Sequence, residues 1–167
     1  MINSARANSL SDLFNQDKSL IYFVPKYQRE YIWSKKNWEL LFDDIITNDE
    51  EHFLGSIICI NTKVDSLKED KLELIDGQQR MTTLSLLMLA LYTHMKSIPN
   101  DNLDENEKEE LNTDLINLKY RLLLKSDKSK LRIEPSISGN NKEDYYYLFS
   151  HKVDFLGRDL HHKPLNA

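Results

Sequence analysis

The prediction of the fold starts from the stretch IDGQQRMTT, Ile75–Thr83. The short apolar run Leu72–Ile75 predicts a strand, and Met81–Met95 is apolar on nearly every side, which predicts a central buried helix. Gly77 permits the tight turn between them. Because the helix begins so soon after this turn, its backbone N–H groups and the positive end of its dipole point at one spot. The stretch therefore predicts a strand–turn–helix joint with an anion site.

The side chains at this joint supply the parts of a site for a nucleoside triphosphate. Arg80, in the first helical turn, carries a guanidinium whose fork of donors matches phosphate oxygens. Thr82 and Thr83 add hydroxyls, and Asp76 offers a hard oxygen for Mg²⁺ or for an attacking water. The phosphate chain of a nucleotide is the ligand that this set favours.

A purely structural interpretation of the same residues stays open. In it, Asp76 only caps the helix, Gly77 only serves the turn, and Arg80 pairs with a surface carboxylate. Asp-Gly turns at such joints are common, so bare chemistry leaves the two interpretations about even. The adjacent Gln78 and Gln79 fit the structural interpretation less well, because a buried pair of glutamines needs several hydrogen-bond partners close by.

A second group of polar residues follows the first predicted strand, Leu20–Val24. The loop after it concentrates Tyr27, Gln28 and Arg29, which a plain connection does not require. Arg29 could supply a second cation for a phosphate, and Tyr27 an aromatic face or a hydroxyl. The neighbouring tryptophans are expected only to pack over the sheet.

The composition excludes several classes of protein. The 167 residues include 22 Lys and Arg against 27 Asp and Glu, and the net charge of -5 argues against coating of DNA through bulk charge. The 1 cysteine, Cys59, leaves no intramolecular disulfide and no cysteine zinc site, and its apolar neighbours predict a buried, inert thiol. No apolar stretch approaches the ~20 residues of a membrane span, which predicts a cytoplasmic protein without a membrane partner.

These patterns predict an α+β fold, a small mixed sheet with helices packed on it and a helical extension after it. A change of composition near Pro99 divides the chain into a nucleotide-binding domain at 1–98 and the extension at 99–167, the start of a longer region. The other predicted elements are helices at Ser9–Asn15, Asn37–Asn48 (apolar stripe Leu40, Leu41, Phe42 and Ile45) and from about Asn140, and a strand at Phe53–Ile60.

An acidic block at residues 101–114 is followed by the one basic stretch of the chain. Six cations in so short a segment could neutralise several phosphates, so they form a candidate DNA surface. The alternative, a solvated helix whose leucines merely pack, stays open. The six cations are Lys119, Arg121, Lys125, Lys128, Lys130 and Arg132.

Four motifs also keep a characteristic order along the chain. They are PKYQREYIW at Pro25–Trp33, WELL and DI within Trp38–Ile45, FLGSI at Phe53–Ile57, and IDGQQRMTTL at Ile75–Leu84. Together they resemble the N-terminal domain of GmrSD-type restriction proteins, over about residues 10 to 95, and the resemblance fades past Pro99. That domain looks like a divergent member of the ParB/sulfiredoxin-like fold.

The resemblance implies a prokaryotic defence protein that binds and hydrolyses a nucleoside triphosphate with Mg²⁺ and couples this to sensing or cutting foreign, often modified, DNA. The family's Tyr-Gln-Arg motif maps onto Tyr27–Arg29, and its Asp-Gly-Gln-Gln-Arg motif maps onto Asp76–Arg80 without a departure. The nucleotide is thus expected at both motifs.

In the mechanism that the resemblance implies, Arg29 and Arg80 hold phosphates and Asp76 positions Mg²⁺ or a water. Gln78 and Gln79 orient the attacking water or read the nucleotide.

Full-length members often end in a His-Asn-His nuclease domain; no such motif follows here, so a downstream nuclease domain of the same protein is the expected partner. Two alternatives stay open: a non-catalytic DNA-binding or regulatory module of ParB-like type, and direct nuclease action by this domain. Homo-oligomerisation is also left open.

Overall fold

The computed structural model describes residues 5–47, 52–61, 70–136, 141–153 and 155. The elements in these ranges are α1 (Leu10–Leu13), β1 (Leu20–Phe23), α2 (Lys35–Thr47), β2 (Ile58–Asn61), β3 (Asp70–Asp76), α3 (Gln78–Lys96), a 3-10 turn (Asn100–Asn102), α4 (Glu105–Leu122), β4 (Ile133–Glu134) and α5 (Asn141–Lys152). None of the helices in these ranges combines the length and the apolar character that crossing a membrane requires.

The four strands form one mixed sheet in the order β2-β3-β1-β4. β1 is parallel to both β3 and β4, with Tyr22 opposite Leu72 on one side and opposite Ile133 on the other, whereas β2 is antiparallel to β3. The predicted α+β fold with a small mixed sheet is therefore confirmed. Because β1, β3 and β4 are parallel, their carboxyl ends lie at one edge of the sheet, where loops can build a site together.

The hydrophobic core draws on the chain before and after Pro99. Leu74 and Met81 pack in one cluster with Leu123, Ile133 and Phe149, all of them buried. α3 contacts α4, α5 and β4. The core therefore contains residues from both sides of the predicted boundary near Pro99. Residues 99–136 also contain the edge strand β4, so this part of the predicted extension is not purely helical.

α3 and α2 form where the sequence predicts helices, but their burial differs from the prediction. The first half of α3 is buried, whereas Leu91 in the second half is 49% exposed, so burial on all sides holds only near the sheet. On α2, Leu41 is buried and Ile45 partly so, whereas Leu40 and Phe42 are exposed. The physical reason is that an apolar stripe is buried only where neighbouring elements cover it, and the neighbours of α2 and α3 leave part of each stripe uncovered.

The strand predicted at Phe53–Ile60 is shorter than expected. Residues 52–57 are irregular, and pairing with β3 begins at Ile58. Gly55 explains the difference, because its φ of +103° is incompatible with extended backbone. Cys59 is partly buried in β2, and burial raises the pKa of its thiol to about 11, as expected of an inert cysteine.

Candidate functional site

The two sequence motifs meet at the carboxyl edge of the sheet. The loop after β1 carries Tyr27–Arg29, and the turn after β3 carries Asp76 and Gly77, which leads directly into α3. β1 and β3 are adjacent and parallel, so the loop lies against the start of α3. The residues that follow β4, Pro135 and Ser136, reach the same edge.

Two buried glutamines clamp the loop to α3. The Nε2 atom of Gln79 donates to the backbone oxygen of Glu30 at 2.9 Å, and its Oε1 accepts from the backbone N–H of Ile32 at 2.9 Å. The Nε2 atom of Gln78 donates to the backbone oxygen of Arg29 at 3.2 Å. The partners that a buried glutamine pair needs are thus supplied by loop backbone, a structural role that sequence reasoning did not identify.

Further contacts fix the loop to β3. The Nε2 atom of Gln28 donates to the backbone oxygen of Ile75 at 2.8 Å and leaves its Oε1 to accept from Gln78 at 3.3 Å. The Tyr27 hydroxyl donates to Glu73 Oε1 at 2.6 Å, and this hydrogen bond raises the pKa of Tyr27. Gln28 therefore contacts the joint, whereas Tyr27 lies on the outer surface and is 70% exposed.

A cavity of about 140 Å³, here called the joint cavity, opens between the loop and the joint. Asp76, Gly77 and Arg80 line it from β3 and α3, and Gln28 and Arg29 line it from the loop, together with both glutamines of the clamp. Tyr27, Thr82 and Thr83 are not among its lining residues. Seven of the residues predicted from the two motifs are therefore brought together around one space: Gln28, Arg29, Asp76, Gly77, Gln78, Gln79 and Arg80.

Asp76 does not cap α3, contrary to the structural interpretation considered for it. The N-cap is Gly77, in the left-handed region with φ +86°, and no side chain caps the helix. The exposed Asp76 carboxylate makes no hydrogen bond or ion pair with the described part of the chain. Its charge is thus available to a ligand, beside the free N–H groups of a 19-residue helix.

Arg80 is held by the irregular segment before β2 and not by a carboxylate. Its Nη1 atom donates to the backbone oxygen of Ser56 at 3.0 Å. A Cβ added at Gly55 would lie 2.5 Å from Arg80 Nη2, so the glycine leaves room for the guanidinium to lie against the backbone. The FLGSI motif therefore positions Arg80 at the joint cavity.

Arg29 lines the joint cavity and a second, larger one of about 190 Å³, here called the α5 cavity. Its guanidinium is exposed and has no hydrogen bond or ion pair to any residue in the ranges described. Thr82 lines the α5 cavity only. Thr83 lines neither cavity, and its hydroxyl makes hydrogen bonds with the Tyr31 hydroxyl at 2.7 Å and the Gln79 carbonyl at 2.8 Å.

The donor set fits a metal ion that arrives with a phosphate ligand. Among the residues described, no group of three or more His, Cys, Asp or Glu side chains could hold a metal by itself. Mg²⁺ commonly takes one or two carboxylates and completes its shell with phosphate oxygens and water. Asp76 at the joint cavity would hold Mg²⁺ in that way.

The basic stretch does not form one surface. Arg132 is 1% exposed, and its guanidinium donates to four backbone oxygens, so its place in the predicted DNA surface is wrong. A buried guanidinium whose three nitrogens all donate to backbone oxygens cannot meet a phosphate from solvent. Lys125 and Lys130 form ion pairs with Asp17 and Asp127 at 3.7 and 3.8 Å, whereas Lys128 is exposed.

The α5 cavity contains residues that sequence reasoning missed. Asp144 and Tyr145 of α5 line it, as does Ser136 after β4. No local motif marks these residues; only the pairing of β4 with β1 and the packing of α5 on α3 bring them to the site.

The family model of the GmrSD restriction endonuclease N-terminal domain matches residues 10–160. The match extends well beyond residue 95, where sequence reasoning let the resemblance end, and it includes β4 and α5. A search of curated proteins gave no significant match. Since the family model covers most of the sequence, this chain belongs to the family of GmrSD restriction endonuclease N-terminal domains.

Proposed function

We propose that this restriction-protein domain binds a nucleoside triphosphate with Mg²⁺ at the joint cavity, hydrolyses it, and couples hydrolysis to recognition or cleavage of foreign DNA. One observation carries the proposal. Arg29 and Arg80, from two motifs far apart in the sequence, line a single cavity with Asp76, the last residue of β3. The ParB/sulfiredoxin-like relationship, DNA as a partner and a downstream nuclease domain belong to the same proposal.

The cavity suits a polyphosphate for electrostatic reasons. Two guanidinium groups and the N-terminus of α3 converge on it, and each favours negative charge. Arg29 has no protein partner among the described residues that a phosphate would have to displace. Phosphoryl transfer depends mainly on such positioning and electrostatic stabilisation, because the protein has little covalent chemistry to perform.

Asp76 and the glutamine clamp take different parts in this proposal. The Asp76 carboxylate holds Mg²⁺, which would neutralise phosphate charge, or accepts a hydrogen bond from the attacking water. The amides of Gln78 and Gln79 are already engaged by the loop, so they act as positioning residues that keep Arg29 beside the joint. Their predicted direct contact with water or nucleotide would require the loop to move.

A non-catalytic regulatory module is the second candidate, and the same clamp favours it. Arg29 lies in the loop after β1, whose backbone oxygens accept hydrogen bonds from Gln78 and Gln79. A ligand that binds Arg29 therefore acts on the position of this loop. Nucleotide binding could then shift the loop between two positions without hydrolysis, as differential affinity for two states allows. Both candidates place the nucleotide at the joint cavity and differ only in turnover.

Phosphate release by the purified chain separates the two candidates. We expect Mg²⁺-dependent release that changes when DNA is added, and Asp76→Asn should lower turnover roughly a hundredfold. The melting temperature should stay nearly constant, because Asp76 is exposed and caps no helix. Asp70→Asn, at the opposite end of β3, is the matched control and should keep wild-type turnover.

Wild-type turnover in Asp76→Asn would show that the carboxylate has no part in chemistry. Nucleotide binding without Mg²⁺-dependent turnover in the wild type would favour the regulatory module instead. Absence of nucleotide binding would contradict both candidates.

A further inference from the structure

The α5 cavity lies beside the joint cavity and is not used by the proposal above. Arg29, Gln78 and Gln79 line both, so the two spaces adjoin. The α5 cavity has largely apolar walls, to which Leu86 of α3 and Leu148 of α5 contribute. Its volume of about 190 Å³ exceeds the ~150 Å³ of an engineered cavity that binds benzene, so one aromatic ring system fits it.

Two opposite charges line this cavity without pairing. Arg29 and Asp144 form no ion pair with each other, and neither side chain has a hydrogen-bond partner among the residues described. Both charges are therefore available to a ligand. Arg29 attracts an anionic group on the side shared with the joint cavity, and Asp144 repels anions and accepts hydrogen bonds on the α5 side. A ligand with phosphates at one end and a flat donor-bearing ring at the other matches this polarity.

Asp144 is held by a buried anchor. The next residue, Tyr145, is buried, and its hydroxyl lies 2.7 Å from Ser85 Oγ. Ser85 Oγ gives its own proton to the backbone oxygen of Thr82 at 2.7 Å, so the Tyr145 hydroxyl is the donor in this pair. The first turn of α5 is thereby fixed to α3, which makes Asp144 a defined wall of the cavity.

We infer that the α5 cavity holds the base of the nucleotide and that Asp144 selects guanine. This inference rests on the proposed function, because the phosphates must lie in the joint cavity for the base to reach α5. Guanine carries an N1–H and a 2-amino group side by side, and the two oxygens of a carboxylate can accept from both. Adenine and cytosine place an acceptor beside their amino group, and uracil places its single N–H between two carbonyls. Asp144 is thus a specificity-determining residue.

Three purine triphosphates that share the C6 carbonyl and differ in the group at C2 test this directly. Inosine triphosphate lacks the 2-amino group of guanosine triphosphate, and xanthosine triphosphate has a carbonyl there. Dissociation constants are measured by competition against a fluorescent, non-hydrolysable guanosine nucleotide, with Mg²⁺ present. The wild type should bind the guanosine nucleotide about tenfold or more tightly than the inosine one, as a lost hydrogen bond to a charged group predicts.

Asp144→Asn should reverse the preference. It should weaken guanosine triphosphate binding by about tenfold and improve xanthosine triphosphate binding, because the asparagine amide donates to the C2 carbonyl. A merely structural role for Asp144 would weaken all three nucleotides alike. Asp114→Asn, on the exposed face of α4, makes the same chemical change away from both cavities and should leave the three constants unchanged.

Equal affinities for the three nucleotides, unmoved by Asp144→Asn, would overturn the base assignment while leaving the proposed function intact. Failure of any triphosphate to bind would overturn both. The same competition with a single strand containing dG separates the two sources of a guanine. An effect of Asp144→Asn on that strand alone would mean that the cavity reads a DNA base, and would overturn the assignment to a nucleotide.

Discussion

Arg132 and Arg29 have the same guanidinium group, but that of Arg132 is buried in the protein and that of Arg29 is exposed to solvent. Arg132 is buried, and its three nitrogens donate to the backbone oxygens of Tyr120 at 2.9 Å, Lys18 at 2.7 Å and Gln16 at 3.1 Å, with a longer contact to Leu20 at 3.4 Å. Arg29 is exposed at the edge of two cavities, and its side chain contacts no partner in the described ranges.

The difference teaches how an arginine is assigned to structure or to ligand binding. Arg132 ties the segment before β1 to the end of α4, and burial lowers its pKa to about 10, which keeps it charged at neutral pH. A guanidinium that is buried and donates from all three nitrogens to backbone is not accessible to a ligand. Arg29 retains all of its donors, and it lies where two sequence motifs meet.

Removal of Arg132 should produce the largest effect on stability. Arg132→Ala removes the donor from several partly buried carbonyls and opens a cavity in the core, so we expect a loss of roughly 3–5 kcal/mol in the free energy of unfolding. Urea denaturation followed by circular dichroism measures it. If the variant does not fold, Arg132→Lys, which keeps the charge and part of the hydrogen bonding, should show an intermediate loss.

Lys125→Ala is the matched control in the same segment. Its side chain is exposed and pairs with Asp17 in solvent, so the change should stay within about 0.5 kcal/mol. A loss below ~1 kcal/mol for Arg132→Ala would contradict the structural role assigned to that residue.

The parts of the molecule that local signals determine could be predicted from the sequence. Ser9 and Asp12 form a capping box at α1, and Gly77 turns β3 into α3, as their residue types indicate. That the two motifs meet was expected from the resemblance and from the suggestion that Arg29 supplies a second cation for the phosphate. Sheet order itself depends on pairing between distant segments, for which the sequence carries no local signal.

The remaining errors also come from long-range contacts. Arg132 looks like its basic neighbours in sequence, but two of its acceptors, the backbone oxygens of Gln16 and Lys18, lie more than a hundred residues away. β4 has only 2 residues, too few for a periodic pattern, yet it directs the chain toward α5. The place of Asp144 in the α5 cavity could therefore not be predicted, because neither β4 nor the residues around Asp144 carry a local sequence signal.

Arg29→Ala should have the opposite effect to Arg132→Ala. Because the Arg29 side chain supports no other described residue, unfolding should change by no more than about 0.5 kcal/mol. Nucleotide binding should weaken by about 2 kcal/mol, the size of a lost charge-assisted contact with phosphate. Titration calorimetry with a non-hydrolysable triphosphate and Mg²⁺ measures the binding.

Lys36→Ala removes the same charge from the exposed surface of α2 and should change neither quantity. Unchanged nucleotide affinity in Arg29→Ala, together with a large loss of stability, would mean that both arginines are structural and that the comparison fails.

The smallest effect is expected at the exposed remainder of the basic stretch. Lys125 forms an ion pair with Asp17, whereas Lys128 is exposed in the turn before β4. The availability of these two lysines to a ligand is therefore intermediate between that of buried Arg132 and that of exposed Arg29. Substituting both lysines by Glu should lower DNA affinity several-fold. It should also reduce the slope of log affinity against log salt concentration by about one to two, because each phosphate contact contributes ~0.9 to that slope.

The double variant Lys35→Glu, Lys36→Glu changes the net charge by the same amount on α2 and should change the slope less. Fluorescence anisotropy with duplex DNA across a salt series measures both. Equal slopes for the wild type and the Lys125/Lys128 variant would leave these lysines as solvated side chains of a packed segment, as the alternative interpretation holds.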